Sequence, residues 1–286
     1  MEPSAHALRR QRRVLTRWLE RGCTLEVLLA SLAWFGCKQG PPNRNTSADA
    51  EPSAARNSDA PHVERDGMVL IKGGAFKMGS NDSVEAKPMH DVTVRDFWLD
   101  KAEVTVSAYA ACVSAGKCEG GGTDANCNTG QSDRANHPIN CVDWNQATAY
   151  CAWAGKRLPS EEEWEYAAAG GSAQRKYAWG DAVPASQLCA EDEGNNVGRR
   201  SGTCEVGAFP AGDSKDGVHD LTGNVWEWTS SNWSIGYGDK NKVDESARVY
   251  RGGGWDSDFA SHRRTTFRAG NHPTFRLDFL GFRCAR

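Results

Sequence analysis

The chain has almost no net charge, and residues 66–286 contain no basic run. It has 34 lysines and arginines and 37 aspartates and glutamates, which gives a formal net charge of -3 over 286 residues. A protein that holds nucleic acid through the phosphates needs a basic face or an arginine-rich stretch. The composition therefore excludes nucleic acid as a partner.

No uninterrupted apolar run approaches the ~20 residues that a membrane-spanning helix requires. The N-terminus instead has an arginine-rich segment from Arg9 to Arg21 and a short apolar stretch from Leu25 to Gly36, which ends at Cys37. This order is typical of a lipoprotein signal peptide. We therefore expect residues 1–37 to direct export and Cys37 to carry a lipid that anchors the protein to a membrane. A soluble periplasmic or extracellular form, a cytosolic amphipathic helix and a misassigned start codon are the alternatives.

Residues 38–65 are rich in Pro, Ser, Ala, Asn and charge. Such a segment buries too little apolar area to offset its ordering entropy, so a disordered polar linker is predicted. Residues 66–286 are predicted to form one loop-rich domain with aromatic packing. The fold class expected for this domain is α+β, with little regular secondary structure.

The domain has no Cys-x-x-Cys pair, which argues against a structural zinc site. It contains eight cysteines, an even number, and in an exported protein this favours disulfides over free thiols. Closeness in sequence suggests three pairs: Cys112 with Cys118, Cys127 with Cys141, and Cys189 with Cys204.

Apolar patterns predict the first strands. Met68–Ile71 and Ala75–Met78 flank Gly73-Gly74 and are expected to form a hairpin. A further strand is expected from His90 to Val94, leading into Phe97-Trp98-Leu99.

Three helices are predicted from their capping residues. Thr105 can cap the first helix. Asp143 and Ser160 start the other two, and each is followed three residues later by a Gln or Glu, as in a capping box. Gly170 is expected to end the third helix.

Several motifs lie in order along the domain: Lys156-Arg157-Leu158-Pro159-Ser160, Gly223-Asn224-Val225-Trp226-Glu227-Trp228, Arg251-Gly252-Gly253 and Gly281-Phe282-Arg283-Cys284. With these motifs the chain resembles the formylglycine-generating enzyme (sulfatase-modifying factor) family from about Met68 to the C-terminus. The resemblance implies a C-type-lectin-like fold. It also implies a disulfide between Cys151 and Cys284.

The family's copper site is altered here. The resemblance implies two cysteine thiolates that hold Cu(I), a soft ion suited to sulfur. An ungapped alignment from Arg251-Gly252-Gly253 puts Ser257 and His262 at those positions. A serine hydroxyl is a poor ligand for Cu(I), so copper catalysis by the family mechanism is not expected, and no catalytic residue is assigned.

Two other chemistries have weak signals in the same segment. A related branch of the family uses iron held by histidines, but no His-x-x-x-His spacing occurs here. Ser257, His262 and Asp258 can be read as a hydrolase triad, yet three such common residues fall close together often by chance.

The segment from Asp220 to Glu227 sets two carboxylates around a glycine turn, so that side-chain and carbonyl oxygens can converge. Calcium takes six to eight such oxygen ligands. The resemblance implies a calcium ion held by the side chains of Asp220 and Glu227 and by the carbonyls of Gly223 and Val225. The alternative is a tight turn into a strand, with Glu227 paired to an arginine such as Arg283.

A second calcium site of the family would start at Asn196 and Val197. The loop that follows, residues 198–203, is too short to supply the later ligands and carries arginines instead. This site is the weaker of the two expectations.

Two functional hypotheses result. The first is an exported, noncatalytic, calcium-stabilised binding or structural module, whose cleft holds a protein, a peptide or another extracellular ligand. The second is an oxidase of the formylglycine type, or a non-haem iron enzyme, that acts on a protein or thiol substrate through altered metal ligands. Arginine and tryptophan are common interface anchors, although they can equally pack and pair inside the domain. The residues expected at the cleft are Trp255, Asp256, Asp258, Arg263 and Arg264, with Trp233, Tyr237 and Arg268 beside them.

Overall fold

The computed structural model describes residues 63–190, 202–238, 243–257 and 260–286. The expected signal peptide with Cys37 and most of the expected linker lie outside the described residues, as do Asn196, Val197 and Asp258. In the described part, no helix is both long and apolar enough to cross a bilayer.

The domain has an α+β fold with short elements, as predicted. The strands are β1 Glu64–Arg65, β2 Met68–Ile71, β3 Gly74–Met78, β4 His90–Val94, β5 Phe97–Asp100, β6 Trp226–Ser234, β7 Val243–Arg251, β8 Arg268–Asn271 and β9 Leu280–Gly281. The α-helices are α1 Val106–Ser114, α2 Trp144–Trp153 and α3 Glu161–Ala169, and short 3-10 turns lie at Gly171–Ala173, Pro210–Gly212 and Ala260–Arg263.

The hairpin predicted between β2 and β3 is wrong. Strand β2 pairs with β1 and β5, whereas β3 pairs with β4 in a separate sheet. At Gly73 the chain crosses so close to the end of β4 that a Cβ would lie 2.2 Å from the carbonyl oxygen of Val94. The glycines therefore let the chain pass between two sheets instead of turning back on itself.

The boundary predicted between linker and domain also shifts. Glu64 and Arg65, assigned to the linker, form β1, which pairs antiparallel with Met68 and Val69. The turn between the two strands uses positive φ angles at Asp66 and Gly67, which is the geometry of a tight hairpin.

The helices begin where their capping residues predict. The Thr105 hydroxyl accepts a hydrogen bond from the amide of Ala108 at the start of α1. Asp143 with Gln146, and Ser160 with Glu163, form reciprocal capping boxes. Gly170 ends α3 in the left-handed conformation, with φ 67°.

The largest sheet has the order β8-β7-β6-β9 and holds the C-terminal third together. Its β6 and β9 run parallel, with Glu227 opposite Gly281. The two larger apolar clusters of the domain lie around Trp164 and around Trp228, and both indoles are fully buried. The chain end pairs with β5, since Arg286 and Trp98 exchange backbone hydrogen bonds.

All four expected disulfides are present. They join Cys112 to Cys118, Cys127 to Cys141, Cys151 to Cys284 and Cys189 to Cys204.

Candidate functional site

The loop that enters β6 is tightly wound. Asp220 and Asn224 have φ near 57°, and Gly223 has φ 97°. A Cβ on Gly223 would lie 2.9 Å from the carbonyl oxygen of Cys189. Glycine is therefore required at this position both for its conformation and for the close approach.

Asn224 attaches this loop to its surroundings. Its amide donates to the Cys189 carbonyl at 2.7 Å, and its side-chain oxygen accepts from the Cys204 amide at 3.0 Å. Its carbonyl accepts from the Trp255 amide at 2.7 Å. One asparagine thus connects the Cys189–Cys204 disulfide to the segment that holds Ser257.

Glu227 is held by Arg283, as in the alternative to calcium considered above. Arg283 donates through Nε and Nη2 to the two carboxylate oxygens, at 2.7 Å each. The indole of Trp164 donates to Oε2 at 2.9 Å. Both members of the ion pair are fully buried, so the hydrogen-bonding capacity of Glu227 is largely used.

Asp220 lies at the other end of the loop and is 7% exposed. Its Oδ2 accepts from the amide of Gly207 at 2.6 Å. Burial raises the pKa of this carboxyl group, and the hydrogen bond from Gly207 opposes the shift.

The structure adds a residue to this site that the sequence analysis missed. Glu103 is 3% exposed, and neither of its carboxylate oxygens has a hydrogen-bond partner among the described residues. Burial, and then the charge of Asp220, raises its pKa well above the ordinary value. No local pattern marks Glu103, because its neighbours at the site come from distant parts of the chain.

The groups around Asp220 suit a hard cation in chemical type, since they are buried oxygen donors. Within the described ranges, no three His, Cys, Asp or Glu side chains are grouped so that they could hold a metal ion together. A calcium site here would therefore depend on carbonyl oxygens as well as carboxylates, a mixture that calcium accepts.

Ser257 and His262, at the family's copper positions, have little freedom. Ser257 is 5% exposed, and its hydroxyl accepts from the Gly254 amide at 2.9 Å. The ring of His262 lies against Phe267, with centroids 4.6 Å apart. All eight cysteines of the domain are in disulfides, so the described residues offer no thiolate to a soft metal.

The described residues expected at the cleft differ in their surroundings. Trp255 and Arg263 are buried, at 8% and 4% exposure. Arg263 donates to the Ser257 carbonyl, and Asp256 is half-buried. Arg264 faces a cavity of about 360 Å³. The cavity is lined by Lys77, Gly79, Ser80, Asp82, Met89, Glu165, Ala169, Gln174, Arg175, Lys176, Arg264, Thr265 and Thr266.

Arg268 belongs to a buried network of ion pairs and is not on an open surface. It donates through Nε and Nη2 to both oxygens of Glu161, at 2.6 and 2.8 Å. Arg251 joins Glu161 to Glu165, at 2.7 and 2.5 Å. The Tyr237 hydroxyl also donates to Glu161, at 3.0 Å. This side-chain network ties α3 to β7 and β8.

Trp233 packs inside the same region. The guanidinium of Arg268 lies 4.7 Å from the Trp233 ring centroid and 4.3 Å from that of Tyr237. A Cβ on Gly270 would lie 2.2 Å from the Trp233 ring, so the indole packs directly on the backbone of β8. Trp233 and Tyr237 therefore pack against Arg268 while each stays partly exposed.

Comparison with known proteins shows a match over most of the chain. Residues 53–286 match the family described as Sulfatase-modifying factor enzyme 1-like domain. The inactive C-alpha-formylglycine-generating enzyme 2 of Bos taurus is 33% identical and covers 76% of this chain and 87% of its own length. The formylglycine-generating enzyme of Streptomyces coelicolor is 31% identical, and the match covers 85% of this chain and 95% of that enzyme. The structure of PvdO from Pseudomonas aeruginosa matches with TM-score 0.64 at 28% identity, and the match covers 77% of this chain and 93% of PvdO.

Proposed function

The chain belongs to the sulfatase-modifying factor enzyme 1-like domain family, and from this premise we propose that it is a noncatalytic, exported binding or structural module. The observation that carries the proposal is the state of the cysteines. Every cysteine of the domain is held in a disulfide, and thiolates are the ligands that Cu(I) prefers.

The groups at the copper positions support the same proposal. The Ser257 hydroxyl already accepts from the Gly254 amide, and a neutral hydroxyl remains protonated at physiological pH. A single imidazole at His262 cannot replace two thiolates. Family membership alone does not decide the question, since the bovine relative is named inactive and the Streptomyces relative is named a formylglycine-generating enzyme.

We further propose that a protein or peptide ligand with acidic groups binds at the cavity beside Arg264. Lys77, Arg175, Lys176 and Arg264 line it, and Asp82 and Glu165 are its acidic residues. Glu165 is already paired with Arg251, Arg264 with Asp82 and Lys77 with Asp91, so Arg175 and Lys176 are the basic residues of the lining outside these pairs. The net charge of the cavity lining is therefore positive, which favours an anionic partner.

We also propose a bound ion and a cellular location for the module. Calcium is proposed at the loop that begins at Asp220, where it would stabilise the native state by binding to it alone. Export, with a lipid anchor at Cys37, is proposed from the signal-like N-terminus, and the four disulfides suit an oxidising compartment.

An aldehyde assay tests the noncatalytic proposal. The purified protein is given copper, oxygen, a reductant and a peptide with Cys-x-Pro-x-Arg, the substrate motif that the family resemblance implies, and the products are analysed by mass spectrometry. No aldehyde should form. The Streptomyces coelicolor relative is the positive control, and Ser257→Cys with His262→Cys shows whether two thiols at these positions restore copper binding.

Conversion of the peptide by the unmodified protein would overturn the proposal. It would favour the oxidase hypothesis with altered metal ligands. Elemental analysis of the same preparation for copper and iron would then identify the metal involved.

A further inference from the structure

Met89 carries a sulfur that is open to solvent. The residue is 40% exposed, whereas Met68 and Met78 are 0% and 1% exposed. The eight cysteines of the domain are all held in disulfides. Among the described residues, the thioether of Met89 is therefore the one sulfur that is both reduced and accessible to a dissolved oxidant.

This thioether belongs to the lining of the cavity beside Arg264. The backbone of Met89 is fixed there, because its amide donates to the side-chain oxygen of Asn81 at 3.1 Å. Its sulfur lies 3.9 Å from the side-chain amide nitrogen of Gln174, which also lines the cavity. A thioether is only a weak acceptor for such a donor, so a more polar sulfur group would change this contact directly.

A peroxide is the class of oxidant that fits an exposed thioether. The sulfur attacks one peroxide oxygen, so that an S–O bond forms while the O–O bond breaks. The sulfur is oxidised to the sulfoxide, and with hydrogen peroxide the leaving hydroxide takes the remaining proton and departs as water. The product is polar and is returned to methionine by methionine sulfoxide reductases.

The sulfoxide would meet hydrogen-bond donors in the cavity. The amide of Gln174 is already near the sulfur, and Arg175 and Lys176 are the cations of the lining that stand outside its ion pairs. A sulfoxide oxygen accepts hydrogen bonds, and so do the carboxylates of an acidic ligand. The two acceptors would therefore compete for the same donors.

We propose that Met89 is a reversible oxidation site, and that its sulfoxide weakens the binding of anionic ligands in this cavity. The oxidation itself depends only on the exposure of the sulfur. The effect on binding rests on the proposed function, which places an acidic protein or peptide ligand in the cavity.

Mass spectrometry of the peroxide-treated full chain tests the modification. After limited treatment with hydrogen peroxide under native conditions, the protein is digested and the oxidation of each methionine is followed over time. Met89 should be oxidised at least about tenfold faster than Met68 and Met78, because oxidation follows exposure. Denaturing the protein before treatment should remove this difference. Equal rates in the native protein would overturn the proposal.

Binding of an oligo-glutamate peptide tests the regulation. Its affinity is measured by calorimetry before peroxide, after peroxide, and after a methionine sulfoxide reductase has acted. Oxidation should weaken binding by roughly threefold or more, and the reductase should restore it. The variant Met89→Leu has no oxidisable sulfur at this position, so its affinity should be the same before and after peroxide.

The outcomes separate this inference from the proposed function. Selective oxidation of Met89 with unchanged peptide affinity would overturn the regulation alone. An equal loss of affinity in the unmodified protein and in Met89→Leu would assign the effect to another residue and would also overturn it. If the untreated protein does not bind the peptide, the acidic ligand of the proposed function fails, and the regulation fails with it.

Discussion

Arg283 holds Glu227 through two parallel hydrogen bonds of 2.7 Å each, and both side chains are completely buried. The pair joins the start of β6 to the segment that follows β9, and Trp164 adds a bond from α3. Three distant parts of the chain thus meet at one carboxylate. This arrangement predicts a large loss of folding stability when either Arg283 or Glu227 is replaced.

Arg283→Met should destabilise the protein by about 3–5 kcal/mol, because it leaves Glu227 buried and unpaired. Denaturant unfolding of the unmodified protein and the variant measures the difference. Replacing Glu227 by Met as well should recover part of the loss. A single variant that costs less than the double would show that the pair does not stabilise the fold as described.

Cys151→Ser should cost about 2–5 kcal/mol and leave a reactive thiol at Cys284. This disulfide joins residues 133 apart, whereas Cys112 and Cys118 are 6 apart. A longer closed loop constrains the unfolded chain more, so Cys112→Ser should cost less. Unfolding curves and thiol labelling after denaturation measure both effects, and equal losses would contradict the loop argument.

His137 should make the protein less stable as the pH falls below neutrality. Burial, and then the charge of Arg134, lowers the pKa of His137 in the native state. The unfolded chain, with a histidine pKa near ~6.5, therefore binds the proton more readily. The free energy of unfolding therefore has its full value above the histidine pKa of the unfolded chain. It decreases as the pH drops below that pKa.

The variant His137→Gln tests this pH dependence. In the unmodified protein, Nδ1 of His137 lies 2.9 Å from the hydroxyl oxygen of Thr203. Stability is compared at pH 7.5 and pH 5 for both proteins. The variant should lose less stability between the two values than the unmodified protein. An identical loss in both proteins would assign the acid sensitivity to groups other than His137.

Cys37→Ala should release the mature protein from membranes or leave it as a precursor, if Cys37 carries a lipid. Cell fractionation and mass spectrometry of the N-terminus measure this in the native host. A single acyl chain gives weak anchoring, so the diacylated form is the one expected in the membrane fraction. An intact N-terminus on soluble cytoplasmic protein would contradict both export and lipidation.

The sequence by itself determined the local features. The capping residues at Thr105, Asp143 and Ser160, and the left-handed glycine at Gly170, were predicted correctly, because each interaction spans only a few residues. The same holds for the disulfides between neighbouring cysteines. The family resemblance supplied the long-range pair Cys151–Cys284, which no local pattern indicates.

The tertiary structure alone decided the groups that meet across the chain. It assigned β2 and β3 to different sheets, paired Glu227 with Arg283, and brought Glu103 beside Asp220. It also turned Arg268 inward to Glu161 instead of leaving it on a cleft. The physical reason is common to all four: strand partners and buried charges are selected by packing and desolvation, and these depend on residues far apart in the sequence.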